Sequence, residues 1–132
     1  MRQAVLADAG PLYAAVDPGD TQHHQARREL QELALRHFDI LISFPTLSEA
    51  YSLVLRKLGR KIALGWLKEM MDAALINPTP EDYRQATRKL EVFADQSITL
   101  FDATLAVLAL RTRLPVWTYD HHFDVMRVPV WR

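Results

Sequence analysis

Four carboxylates are placed where they could act together: Asp8, Glu49, Asp102 and Asp120. Asp8 follows the apolar run Val5-Leu6-Ala7, and Asp120 follows Val116-Trp117-Thr118-Tyr119. Glu49 and Asp102 each stand three residues after a threonine, in Thr46-Leu47-Ser48-Glu49 and Thr99-Leu100-Phe101-Asp102. Two carboxylates about 4 Å apart repel by about 4 kcal/mol at an effective dielectric near 20, which is large against the stability of a whole domain. A fold that gathers four must neutralise them with protons or cations. Oxygen-only ligands in a chain with no cysteine select hard cations, so Mg²⁺ or Mn²⁺ is expected rather than Zn²⁺. Such a site suits phosphoryl chemistry, in which the cation activates a water and stabilises charge on the attacked phosphate.

Each acid also has a purely structural explanation. The two threonine segments match the capping box, where the third helical residue returns its side chain to the N-cap amide. Thr79-Pro80-Glu81-Asp82 matches it too, and no chemistry is assigned to Asp82. Asp8 before Gly10-Pro11, and Asp120 before a loop, can serve as turn residues. One acid alone says little; four in this order say more.

The elements that would position them alternate. Val5-Leu6 opens a short strand, Leu12 to Val16 is a short helical segment, and Asp17-Pro18-Gly19-Asp20 breaks it. Thr21 to His37 reads as a helix with Ala26, Leu30, Leu33 and Leu35 near one face. Ile40 to Phe44 is a buried strand ended by Pro45, and the following helix carries Glu49 in its first turn and stops at Gly59. Helices over Lys61–Leu75, Glu81–Phe93 and Thr99–Arg113 follow. Strands are predicted at Pro115–Tyr119, at Val128–Trp131 and, briefly, at Leu75-Ile76. Strand–helix alternation predicts a three-layer α/β/α fold around a mainly parallel sheet. Ligands of such sheets gather beyond the carboxyl ends of the strands, and all four acids can converge there.

Composition bounds the rest. The 132 residues suit one domain. Lys+Arg and Asp+Glu are both 16, so non-specific coating of nucleic acid is not expected, although a local basic rim is compatible with the balance. The absence of cysteine removes disulfides, zinc–thiolate sites and cysteine nucleophiles. The apolar run near the N-terminus is too short for a signal peptide or membrane span, so the expectation is a cytoplasmic protein with no membrane partner. Gly10 stands where an Asp-x-Asp phosphatase needs its second acid. A receiver-type phosphoacceptor lacks its acid pair before Asp8 and its Lys after the Val116–Tyr119 strand. With 4 Gly in the chain, no glycine-rich nucleotide loop is present.

The runs Val5-Leu6-Ala7-Asp8-Ala9-Gly10-Pro11-Leu12, Thr46-Leu47-Ser48-Glu49-Ala50, Thr99-Leu100-Phe101-Asp102-Ala103 and Thr118-Tyr119-Asp120-His121-His122-Phe123 resemble those of PIN domains. The nearest look is that of the small VapC toxins of toxin–antitoxin pairs, and the likeness spans almost the whole chain, read as one PIN-like domain over 1–132. The resemblance implies a metal-dependent endoribonuclease with Asp8, Glu49, Asp102 and Asp120 as catalytic and metal-holding acids. It implies Mg²⁺ or Mn²⁺ as cofactor, RNA as substrate, a VapB-like antitoxin and a homodimer. Ala9 departs from the Ser or Thr that the family often has there, and Thr118 offers another hydroxyl. The alternative reading is a non-catalytic PIN-like module that binds RNA or protein.

Other residues have simpler explanations. His23-His24 reads as a solvated helix start, and His121-His122 as surface, with one imidazole able to contact phosphate. Asp124 either assists Asp120 or faces solvent. Arg56, Lys57, Arg60 and Lys61 form a basic helix end that could guide RNA. Trp66, Met70 and Met71 are core, with a second subunit or an antitoxin helix as the other possible cover.

Overall fold

In the computed structural model, which describes residues 3–132, the chain begins with β1 (Ala4–Ala7) and α1 (Ala9–Val16), then α2 (His23–Leu35) and β2 (Asp39–Ser43). There follow α3 (Phe44–Leu58), α4 (Arg60–Met70), β3 (Ala74–Ile76), α5 (Pro80–Val92), α6 (Leu100–Thr112), β4 (Val116–Trp117) and α7 (His122–Val125). The strands form one four-stranded sheet in the order β3-β2-β1-β4, and every pairing is parallel. β1 lies inside, with Val5 opposite Ile40 on one side and Leu6 opposite Val116 on the other.

Alternation along β1 splits the core into two layers. Val5 and Ala7 face a cluster with Leu12, Ala26, Leu33, Val54 and Trp66, contributed by α1 to α4. Leu6 and Val116 face the other, with Ala86, Leu105, Leu108 and Phe123 from α5, α6 and α7. Both faces of the sheet are thus covered, which is why its strands read as continuous apolar runs. Helix α6 is buried from Asp102 through Ala109, so its amphipathic signal is weak. Trp66 is buried and Met70 packs against the same cluster, whereas Met71 is exposed.

Four expectations are corrected. The strand predicted to run through Phe44 ends at Ser43, whose Oγ accepts the Thr46 N–H at 3.2 Å and caps α3. Pro45 sits in the first turn of α3, where its fixed φ fits and its missing N–H costs nothing. Glu49 therefore lies in the second turn, and the capping box read at Thr46–Glu49 does not form. The strand predicted at Val128–Trp131 shrinks to a single parallel bridge between Val116 and Val130, since Pro129 has no N–H to continue a ladder. Leu35 is 80% exposed rather than part of the helix's buried face. Gly59, with φ at 91°, makes the turn between α3 and α4 in a conformation that a side chain would disfavour.

The Ser43 cap offers a test of how firmly α3 is seated. The Ser43 hydroxyl also donates to the buried Thr46 Oγ1 at 3.0 Å. Ser43→Ala should destabilise the protein by about 1–2 kcal/mol, read as a lower urea midpoint with unchanged m-value. An unchanged midpoint would mean that the cap contributes nothing.

Candidate active site

The four acids reach one place by four routes. Asp8 is the N-cap of α1 at the carboxyl end of β1, and its backbone N–H donates to the Trp117 carbonyl of β4. Asp120 follows β4. Asp102 is the third residue of α6, and Glu49 projects from the second turn of α3. An open cleft of about 300 Å³ is lined by Asp8, Glu49, Asp102 and Asp120 together with Leu53 and Tyr119. The chain runs outward from β1 to β2 on one side and returns to pair β4 on the other, and such a reversal of strand order leaves a crevice at the strand ends.

Hydrogen bonds hold each acid differently. Asp8 accepts the Ala9 N–H at 2.8 Å on Oδ1 and the Thr118 hydroxyl at 2.7 Å on Oδ2. Thr118 Oγ1 in turn accepts the Asp120 N–H at 3.0 Å, so one hydroxyl ties β1 to the Asp120 turn. The hydroxyl absent at Ala9 thus has a counterpart across the sheet. Asp102 closes a true capping box, accepting the Thr99 N–H at 3.1 Å on Oδ2 while its own N–H donates to Thr99 Oγ1 at 3.1 Å. That leaves Oδ1 for the cleft, so capping and chemistry coexist in this residue. Asp120 Oδ1 accepts the His122 N–H at 2.9 Å. Glu49 makes no side-chain hydrogen bond or ion pair among the described residues.

The PIN domain profile matches residues 5–129. The chain belongs to the PIN-domain family. Among solved structures, this PIN domain is similar to VapC20 of Mycobacterium tuberculosis, a sarcin–ricin-loop-cleaving toxin, with a TM-score of 0.88 at 18% identity over 97% of this chain and 98% of that one. VapBC2 of Rickettsia felis, bound to a DNA fragment from its promoter, gives a TM-score of 0.74 at 16% identity over 98% of each chain. A toxin–antitoxin complex of Klebsiella pneumoniae gives 0.69 at 17% identity over 96% of each. At these identities the likeness to each structure is one of fold. No curated protein matches the chain by sequence.

The electrostatics of the PIN cleft follow from burial and crowding. Burial raises the Asp8 pKa from 3.8 to about 6, with the charges of Asp102 and Asp120 adding to it against the two hydrogen bonds. Glu49 is pushed from 4.5 to about 7, first by burial and then by the charges of Asp8, Asp102 and Asp120. Asp102 is also raised, chiefly by burial and then by Asp120, in opposition to the Thr99 backbone bond. Among the described residues no Lys or Arg pairs with any of the four.

The remaining titratable residues near the PIN site fall into clear groups. Asp124 pairs with Arg132 at 3.1 Å on the surface and does not line the acid cleft. His23 is half-buried, with its Nδ1 2.7 Å from the Ala14 carbonyl, which corrects its reading as a solvated helix start. Glu29 of α2 had no assigned role, yet its Oε1 accepts both the Trp117 Nε1–H at 3.0 Å and the Tyr119 hydroxyl at 2.5 Å. It therefore braces the segment that carries Asp120. The only signal for it was that a buried Trp and a half-buried Tyr need polar partners. A larger apolar groove of about 580 Å³, lined by Phe44, Tyr83, Leu100 and Phe101, contains no carboxylate. No helix among the described residues is long and apolar enough to cross a membrane.

Proposed function

We propose that this PIN domain is a metal-dependent endoribonuclease that hydrolyses RNA phosphodiester bonds, acting as the toxin of a VapBC-type toxin–antitoxin pair. The observation that carries this reading is one open cleft lined by four carboxylates, with no Lys or Arg among the described residues paired to them. Three of the four are pushed upward in pKa. A structural cluster of this kind would be expected to recruit basic partners, as Asp82 does with Arg111. An all-oxygen donor set of Asp8, Glu49, Asp102 and Asp120 fits Mg²⁺ or Mn²⁺. The cleft they line is open to solvent, which suits a cation that keeps several waters. Bound there, the cation would supply an acidified water and neutralise charge on the phosphate.

The chain's own residues prepare that reaction. Thr118 and Ala9 orient Asp8 by donating to its two oxygens. The capping box fixes one oxygen of Asp102 and leaves the other free. Glu49, which no hydrogen bond among the described residues ties down, lines the same cleft and would be free to turn to the cation or to the attacking water. Leu53 and Ala9 give the cleft apolar walls.

A toxin of this kind requires restraint in its own cell. The antitoxin reading draws on the Klebsiella pneumoniae complex and the promoter-bound Rickettsia felis pair. An antitoxin Arg could engage the acids bidentately. A separate apolar groove of about 260 Å³, lined by Leu12, Val16, Leu30, Trp66 and Met70, offers a seat for an apolar anchor.

Sequencing the ends of cellular RNAs tests the proposal directly. Wild type should create new 5′ ends at defined sites, and Asp8→Asn should not. In parallel, Mg²⁺ or Mn²⁺ should raise the melting temperature of wild type more than that of Asp8→Asn, because binding to the native state alone stabilises it. Equal metal shifts together with identical RNA ends would return the chain to a non-catalytic module.

A further inference from the structure

Beside Asp120, one of the four acids of the cleft, stands a pair of imidazoles that the proposed reaction does not use. Asp120, His121 and His122 form the only group of three among the described residues whose ligand atoms all lie within 4.8 Å of one another. The His122 side chain is 14% exposed, and its Nδ1 lies 3.1 Å from Asp120 Oδ1. That nitrogen is shielded from solvent and makes no hydrogen bond. The same Oδ1 accepts the His122 N–H, so one tight turn holds ring and carboxylate side by side. His121 differs: its side chain is 75% exposed and its Nδ1 lies 3.8 Å from the carboxylate.

A shielded ring nitrogen 3.1 Å from a carboxylate oxygen, without a hydrogen bond between them, has the spacing of two ligands of one ion. Adjacent ligands of an octahedral cation at bond lengths of about 2.1 Å are about 3 Å apart, close to the spacing of Nδ1 and Oδ1. A neutral imidazole with its proton on Nε2 would present the Nδ1 lone pair to that ion. Imidazole suits borderline transition metals, whereas Mg²⁺ prefers oxygen and water. We propose that His122 Nδ1 joins Asp120 Oδ1 as a ligand of the cation in the acid cleft, so that the site prefers Mn²⁺ to Mg²⁺. This rests on the metal-nuclease reading of the cleft. The competing arrangement is an imidazolium–carboxylate ion pair with no nitrogen bound to metal.

Pulsed electron paramagnetic resonance on untagged wild-type protein loaded with Mn²⁺ decides between them. Nitrogen modulation from a directly bound imidazole is expected, and its pattern should change when histidine is labelled with ¹⁵N. His122→Gln should abolish it and His121→Gln should keep it. Calorimetric titration should show Mn²⁺ affinity falling about tenfold in His122→Gln, with Mg²⁺ affinity changed by less than about twofold. Wild type that binds Mn²⁺ with no nitrogen modulation overturns the inference without recourse to any variant. So does modulation that survives in His122→Gln. Failure of wild type to bind either cation would instead overturn the metal reading of the cleft, and this inference with it.

Discussion

Asp102→Asn is expected to lower RNA cleavage by about 100- to 1,000-fold while leaving the protein folded, and Asp82→Asn is expected to do the reverse. Both aspartates close identical capping boxes on a threonine three residues earlier. Asp82 is bound by Arg111 through two hydrogen bonds of 2.8 Å. Burial tends to raise the Asp82 pKa, but the Arg111 bonds and charge carry the net shift downward. Its ionised form is therefore a source of stability. Removing that charge should cost about 1–2 kcal/mol, a range discounted because the Arg111 side chain is 46% exposed. Asp102 faces acids instead, so Asn there removes repulsion and a proposed metal ligand together. Expressed alone, wild type and folded Asp82→Asn should arrest growth, and Asp102→Asn should be tolerated. A small protein encoded beside the chain should restore growth and co-purify with it. Loss of cleavage to the same degree in both variants, each shown to be folded, would reduce Asp102 to a cap.

The second large effect is on stability against pH in metal-free buffer. Asp8 and Glu49 have folded-state values raised from 3.8 to about 6 and from 4.5 to about 7. A raised acid contributes stability that is complete below its unfolded value and lost as pH climbs through its folded value. Wild type should therefore become less stable between about pH 4 and 7.5. Asp8 alone accounts for about 3 kcal/mol, at about 1.36 kcal/mol per pKa unit. Glu49 adds less than its own displacement suggests, because part of that displacement is the Asp8 charge. The carboxyls lowered by hydrogen bonds and ion pairs, Asp17, Glu81 and Asp82, act in the opposite sense below about pH 4.5, so across the upper part of the window they are constant. In Asp8→Asn the slope should flatten. At pH 8 without metal that variant should be more stable than wild type by about 1–2 kcal/mol, since the Thr118 hydroxyl must find a new acceptor. Urea unfolding in chelator from pH 4.5 to 8.5 measures all of this. A wild-type curve that is flat or rising from pH 5 to 7 would contradict a crowded acid cleft.

Local pattern carried much of this fold. The apolar runs at Val5-Leu6 and Val116-Trp117, the breaks at Asp17–Asp20 and Asn77–Pro80, and the helices between them depend on interactions a few residues long. So do the boxes at Thr79–Asp82 and Thr99–Asp102, which form as their sequences predict. Where two local signals competed, the stronger one won. Ser43 and Pro45 began α3 before Thr46 could, and this moved Glu49 out of the cap and into the cleft.

The sequence by itself determined the strand–helix alternation, the parallel α/β class and which four acids stand at the ends of those elements. What it could not distinguish was Asp82 from Asp102, because both satisfy the same short-range rule. That difference arises only when α5 packs on α6 and brings Arg111 to Asp82, while β1 pairs with β4 and brings Asp8 and Asp120 beside Asp102. The same holds for Thr118, whose hydroxyl reaches Asp8 across 110 residues of chain, for Glu29 beneath Trp117 and Tyr119, and for His122 beside Asp120. Capping and helix periodicity are settled within a turn or two of backbone. The charge environment of a carboxylate depends on which distant elements surround it, and that is decided by the packing of the sheet and its two helical layers.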